Sequence, residues 1–140
     1  MSNGGAQANS NGQAAENMIA GLLRSKGVVF ERQRRIGRGI YGTMLRADFY
    51  LPKAPGLESG LIIESKWQDA SGTVDEKLPY LVENIFTCYP CPVLIVIDGE
   101  GWREGAIAWL KSRADGRTLI GALSLSQLLS WANRTWRKRL

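Results

Sequence analysis

The run Cys91-Pro92-Val93-Leu94-Ile95-Val96-Ile97-Asp98, closed by Gly99, restricts the fold more than any other stretch of the chain. Its apolar residues do not alternate with polar ones, so both sides must be covered, the pattern of a strand buried on both faces of a sheet. Such a strand needs helices above and below, and helical spacing flanks the run. Residues 74–89 place Leu78, Leu81, Val82, Ile85 and Phe86 at i, i+3, i+4 and i+7 intervals, with Pro79 tolerable near the first turn. Residues 102–114 repeat Trp102, Ala106, Trp109 and Leu110 and stop at Asp115-Gly116, and a last helix opens at Ser124 and runs through Leu128, Leu129, Ala132 and Trp136.

The first half of the chain reads differently. Residues 1–13 are Ser, Asn, Gly, Gln and Ala with almost no apolar bulk, which predicts a disordered leader. Residues 14–140 then form a single domain, a size at which one core suffices. Met18, Ile19, Leu22 and Leu23 predict a first helix over 14–26 with Gly27 as its stop, and three strands follow over 28–36, 44–51 and 61–68. With a short strand over 118–122, the order is αβββαβαβα. An antiparallel meander followed by helical crossovers implies an α/β fold, a mixed sheet with helices on both faces.

Charge and composition narrow the function. Eighteen basic residues against thirteen acidic give a net charge of +5, which favours a polyanionic partner. The longest apolar run, Val93 to Ile97, is far shorter than the roughly 20 residues that cross a bilayer, and no hydrophobic signal segment opens the chain, so a cytoplasmic protein without a membrane partner is expected. The chain has no histidine, which removes Ser-His-Asp and Cys-His catalysis and every imidazole metal site. Cys88 and Cys91 lack partners for tetrahedral zinc and read as two buried reduced thiols. Gly37-Arg38-Gly39-Ile40-Tyr41-Gly42 spells a dinucleotide-type glycine pattern but lies between two strands and opens no helix. It reads as a flexible hairpin connection able to reach a DNA groove, and no small organic cofactor is expected.

What remains for chemistry is carboxylates, lysines, hydroxyls and a hard metal. In 61–68 the period of two places Glu64, Lys66 and Gln68 on one face and Leu61, Ile63, Ser65 and Trp67 on the other. Asp48 stands on the polar side of 44–51, just before the turn Pro52-Lys53-Ala54-Pro55-Gly56. Asp48 and, after fifteen intervening residues, Glu64-Ser65-Lys66 resemble the signature of the PD-(D/E)XK nuclease superfamily, the fold of many restriction endonucleases and junction resolvases. Ala47 precedes Asp48 where the signature has proline, a position at which that superfamily varies. The resemblance implies a Mg²⁺-dependent DNA endonuclease of restriction, homing or junction-resolving type, with Mn²⁺ able to substitute. It implies a site in which Asp48, Glu64 and the carbonyl of Ser65 hold the ion, Lys66 orients or deprotonates the attacking water, and Gln68 hydrogen-bonds that water or a phosphate. Such an ion supplies both charge neutralisation and an activated water, which phosphodiester hydrolysis requires. The resemblance also implies a homodimer acting on double-stranded or branched DNA.

Several features admit two readings. Glu16 in the first helix either complements the helix dipole or, since Gly12-Gln13-Ala14-Ala15-Glu16 is similar to a Gly-x-x-x-Glu found in several of these nucleases, brings a further metal-side carboxylate. Arg32, Arg34, Arg35 and Arg38 form either a solvated edge or a rim for phosphates, with Tyr41 on the connection beside them. Lys77 and Tyr80 either cap a helix or meet phosphate, and Trp131, Arg134, Trp136, Arg137, Lys138 and Arg139 combine core indoles with a basic tail. For the whole chain, the alternatives to a nuclease are a basic domain that holds nucleic acid without cutting it and a scaffold that meets proteins through its five tryptophans.

Overall fold

Five strands form one sheet in the order in which they occur along the chain. The computed structural model describes residues 4–137, so Met1–Asn3 of the expected leader and Lys138 and Arg139 of the basic tail lie outside the described residues. The elements are α1 (Gly4–Ser25), β1 (Glu31–Arg38), β2 (Met44–Leu51), β3 (Leu61–Trp67), a 3-10 turn (Thr73–Lys77), α2 (Leu78–Thr87), β4 (Val93–Asp98), α3 (Glu104–Ser112), β5 (Leu119–Leu123) and α4 (Leu125–Thr135). Neighbours β1, β2 and β3 pair antiparallel, whereas β3, β4 and β5 pair parallel. The sheet is therefore mixed, and the order of elements is the expected one.

Alternation along the strands divides the core into two layers. Leu61, Ile63, Leu94 and Val96 point toward α1 and α4, where they meet Ile19, Leu23, Phe49 and Leu128. Ile62, Val93, Ile95 and Ile97 point to the other side and meet Leu78, Val82, Ile85 and Leu110 of α2 and α3. Every residue of β4 from Val93 to Ile97 is buried, as an unalternating apolar run requires.

Element ends differ from the sequence expectation where tertiary contacts intervene. α1 begins at Gly4, in place of the unstructured leader expected through Gln13. Asn11 donates to Asp69 Oδ2 at 2.9 Å, and Gly12 lies against Trp67, so contacts at the end of β3 and just past it support the N-terminal half of α1. The segment before α2 is a 3-10 turn and not the first turn of one long α-helix. Pro79 has no N–H to donate, and the Leu78 amide reaches back to Asp75 O. α4 starts as expected at Ser124, whose hydroxyl accepts from the Gln127 amide at 3.1 Å while Gln127 Oε1 accepts from the Ser124 amide at 2.9 Å. Cys88 and Cys91 are free, and burial pushes the Cys91 thiol up to about 11.

Leu94 has no solvent exposure and packs in the α1/α4 layer. Leu94→Ala is expected to lose about 2–5 kcal/mol through removed contacts and the cavity left behind, read as a lower urea midpoint at unchanged slope.

Candidate active site

β2 and β3 are in register at Leu51↔Leu61, Tyr50↔Ile62 and Phe49↔Ile63, and the paired register ends there. Backbone amides past a fork still need acceptors when they are out of water. Two carboxylates supply them: Asp48 N donates to Glu64 Oε1 at 3.3 Å, and Ser65 N donates to Asp48 Oδ2 at 2.8 Å. Each acid is thus fastened to the backbone of the neighbouring strand. On the other flank β3 continues in parallel register with β4, through Glu64↔Ile95 and Lys66↔Ile97, which keeps the Glu64–Lys66 segment extended.

This arrangement buries negative charge. Glu64 is only 3 % exposed, and its carboxyl is pushed up to about 8, first by burial and then by the charge of Asp48. Lys66 opposes that shift, its Nζ standing 3.9 Å from Glu64 Oε2. Glu16, on α1, is also raised, by burial first and by Asp48 second. Gln33 of β1 ties these acids together: its Nε2 donates to Asp48 Oδ1 at 3.1 Å and to Glu16 Oε1 at 3.4 Å. Its backbone has φ +54°, a left-handed conformation that costs a non-glycine residue about 1–2 kcal/mol.

A cavity of about 260 Å³ opens beside Glu64 and Lys66, with Arg46, Lys77, Tyr80 and Tyr89 among its lining. Burial first, then the charges of Glu64 and Asp48, hold the Tyr89 hydroxyl well above the usual phenol range. The β1–β2 connection is fastened to α2, which lines this cavity, and is not loose. The buried Asn84 of α2 accepts the Ile40 amide at 2.8 Å, and the ring of Tyr41 stacks on Tyr80 at 5.0 Å between centroids and 26° between planes. Gly39 permits this approach, since a Cβ there would sit 2.7 Å from Asn84 Oδ1.

A family model described as the PD-(D/E)XK nuclease superfamily domain matches residues 7–136. The chain belongs to the PD-(D/E)XK nuclease superfamily. Neither a curated protein nor a solved structure matches it. Nucleases of this superfamily act on nucleic acid and generally use divalent metals. Among the described residues no group of three or more His, Cys, Asp and Glu side chains converges into a metal cage. The donor set nevertheless fits a hard cation that keeps part of its water shell: two converging carboxylates, one of them forced by burial toward its neutral form, with a single lysine as local compensation.

In this member of the superfamily, Asp48, Glu64 and Lys66 come together at the β2–β3 fork, Ser65 contributes an amide to it, and Glu16 reaches it through Gln33. Gln68 does not join them. Expected on the face of Glu64 and Lys66, it is buried past the end of β3, donating to Asp75 Oδ1 and Gly101 O, each at 2.8 Å. Once the strand ends at Trp67 the period of two no longer governs where side chains point. Lys77 and Tyr80 line the cavity, and Tyr41 stacks on Tyr80. The arginines are dispersed. Arg32 stands over Phe49 and near Asn17, Arg34 pairs with Glu31 and lies over Tyr50, and Arg38 bonds the Gly42 carbonyl at 2.8 Å. Arg35 is exposed and sits directly across from Arg46. Gln33, Arg46, Asn84 and Tyr89 escaped the sequence reading. Of these only Arg46 carried a signal, two residues before Asp48 in an alternating strand.

The Glu64 carboxyl titrates at about 8 in the folded chain against an ordinary value of 4.5, so between those limits the folded state holds more protons than the unfolded one. Stability then falls as pH rises through that window. In chelator, the urea midpoint is expected to drop between about pH 5 and about pH 8, and Glu64→Gln to flatten the decline; parallel profiles for the two proteins contradict the assignment. At position 33, Gln33→Gly relieves the left-handed backbone and Gln33→Ala does not. The glycine variant should be the more stable by about 1–2 kcal/mol in the same assay.

Proposed function

We propose that the chain is a Mg²⁺-dependent DNA endonuclease, with Mn²⁺ able to substitute, and that the fork between β2 and β3 is its active site. The observation that carries this reading is the reciprocal fastening of Asp48 and Glu64 across the two strands, with Lys66 alongside. Asp48, Glu64 and the carbonyl of Ser65 are the residues that would hold the cation, with Glu16 as an outer carboxylate behind Gln33. When bound, the cation offsets charge on the phosphate and brings a water toward ionisation near neutral pH. Lys66, as an ammonium, orients the attacking water and places positive charge near the developing oxyanion, while the proton of that water passes to solvent. Glu64, whose neighbours are already fixed, keeps that geometry without reorganisation.

The surroundings favour a phosphate chain. Arg35 and Arg46 face one another across antiparallel strands, an arrangement that like charges disfavour unless an anion lies between or beside them. Arg46 lines the cavity with Lys66, and Lys77 adds a third cation there. A homodimer would place two such sites on a duplex, one for each strand. The buried position of Gln68 removes it from this proposal.

The test is incubation of the purified protein with supercoiled plasmid and with branched DNA, in Mg²⁺ or in chelator. Cleavage should require the metal, and Glu64→Gln and Lys66→Ala should each slow it by about 10²-fold or more. Arg46→Ala should weaken DNA binding for all sequences and reduce the salt slope by about one. Binding in which wild type and both variants leave the DNA uncut identifies a non-catalytic nucleic-acid-binding domain instead.

A further inference from the structure

The hairpin tip between β1 and β2 presents an aromatic ring to solvent beside the cavity. Tyr41 is 79 % exposed, although one of its faces is covered by Tyr80. Single exposed apolar side chains are ordinary on protein surfaces. This one differs because its position is fixed twice. The Tyr80 ring backs it, and the Asn84 side chain holds the next residue back in the chain, Ile40, at 2.8 Å. The turn itself is closed by Gly42 N to Gly39 O and Gly39 N to Thr43 O, both 2.9 Å. A ring already held in place loses little side-chain freedom when something stacks on its open face.

The neighbourhood selects what stacks there. Tyr80, on which Tyr41 rests, lines the same cavity as Glu64 and Lys66. A planar group on the open face of Tyr41 is therefore two rings from that cavity, close enough to belong to a chain that enters it. The nearby Arg46 and Lys77 favour an anionic chain. A nucleobase is the planar group that such a chain carries. Bases inside a continuous duplex already have both faces covered by their neighbours, so only an unpaired or splayed base has a face to offer.

We propose that Tyr41, backed by Tyr80, is a stacking platform for an unpaired nucleobase next to the phosphate in the cavity, so that the preferred substrate carries single-stranded or splayed nucleotides. This rests on the nuclease reading of the site and names the class of DNA that reading leaves open. Tyr41 here is a binding residue and touches no reacting atom.

The experiment uses the whole chain in chelator, so that binding is read without cutting. Oligonucleotides carrying the fluorescent base 2-aminopurine are presented as single strand, as a duplex with a splayed junction and as blunt duplex of the same length, at one salt concentration. The single strand and the splayed junction should bind more tightly than the blunt duplex, with quenching of the unpaired 2-aminopurine. Tyr41→Ala should weaken binding of the unpaired forms by about 5- to 150-fold and leave blunt duplex binding unchanged, while Tyr41→Phe keeps both affinity and quenching. A thermal unfolding midpoint for Tyr41→Ala equal to wild type excludes misfolding as the cause. Equal loss on paired and unpaired DNA, no loss at all, or absence of any nucleic-acid binding by the wild type each overturns the proposal. The plasmid assay separates the two readings: selective loss in Tyr41→Ala with no metal-dependent cleavage by wild type keeps the platform and removes the nuclease.

Discussion

Two carboxylates that ought to repel are held together by the amides of each other's strands. Asp48 Oδ2 accepts from Ser65 N and Glu64 Oε1 accepts from Asp48 N, at the point where regular pairing of β2 and β3 stops after Phe49 and Ile63. A ladder that continued would have used backbone carbonyls for those amides and left the acids an ordinary cross-strand pair, not fastened to each other's strands. The fork instead converts two backbone requirements into a site, and the remaining structure keeps the fork in place. β3 is secured on its far side by parallel pairing to β4 as far as Trp67↔Asp98, and β4 is buried along its apolar length. The apolar core thus determines where two charged groups meet.

The second support comes from the opposite side of the cavity. α2 contributes Tyr80 to the wall, Asn84 to the hairpin and, just past its end, Tyr89 to the base of the site. Gly99 serves a related purpose at the end of β4. Its φ of +97° and the absence of a side chain let the backbone lie against Gln68, where a Cβ would come within 2.3 Å of a carbonyl oxygen. The Gln68 backbone is held there by its own amide to Asp98 O at 3.2 Å and by Gly101 N, which donates to Gln68 O at 2.8 Å.

Legibility in the sequence followed periodicity. The bounds of β2, Met44–Leu51, are those its alternating pattern predicts, and β3 ends one residue early. Asp48, Glu64 and Lys66 were readable because they stand on such strands. The α1 start was not readable, since a Gly-, Asn- and Gln-rich segment has no propensity that reveals a later contact between Asn11 and Asp69. Gln33 was invisible for another reason. A non-glycine residue with positive φ is selected by its surroundings, and no spacing relates it to Glu16 or Asp48. Asn84 and Tyr89 depend on where a helix ends and which loop folds over it.

Three unfavourable features gather within this one region: a glutamate driven toward neutrality by burial beside another acid, a glutamine in left-handed backbone, and two arginines opposed across a strand pair. Each disfavours the isolated chain, and local violations of this sort concentrate where a protein's function asks for them. Their signs are complementary. A divalent cation relieves the first, and a phosphate relieves the third. If only a cation bound here, the arginine pair would have no purpose. If only an anion bound, the carboxylate of Asp48 beside Glu64 would oppose it. The combination is best suited to a ligand in which metal and phosphate arrive at the same place, which is the ternary arrangement that the proposed chemistry requires.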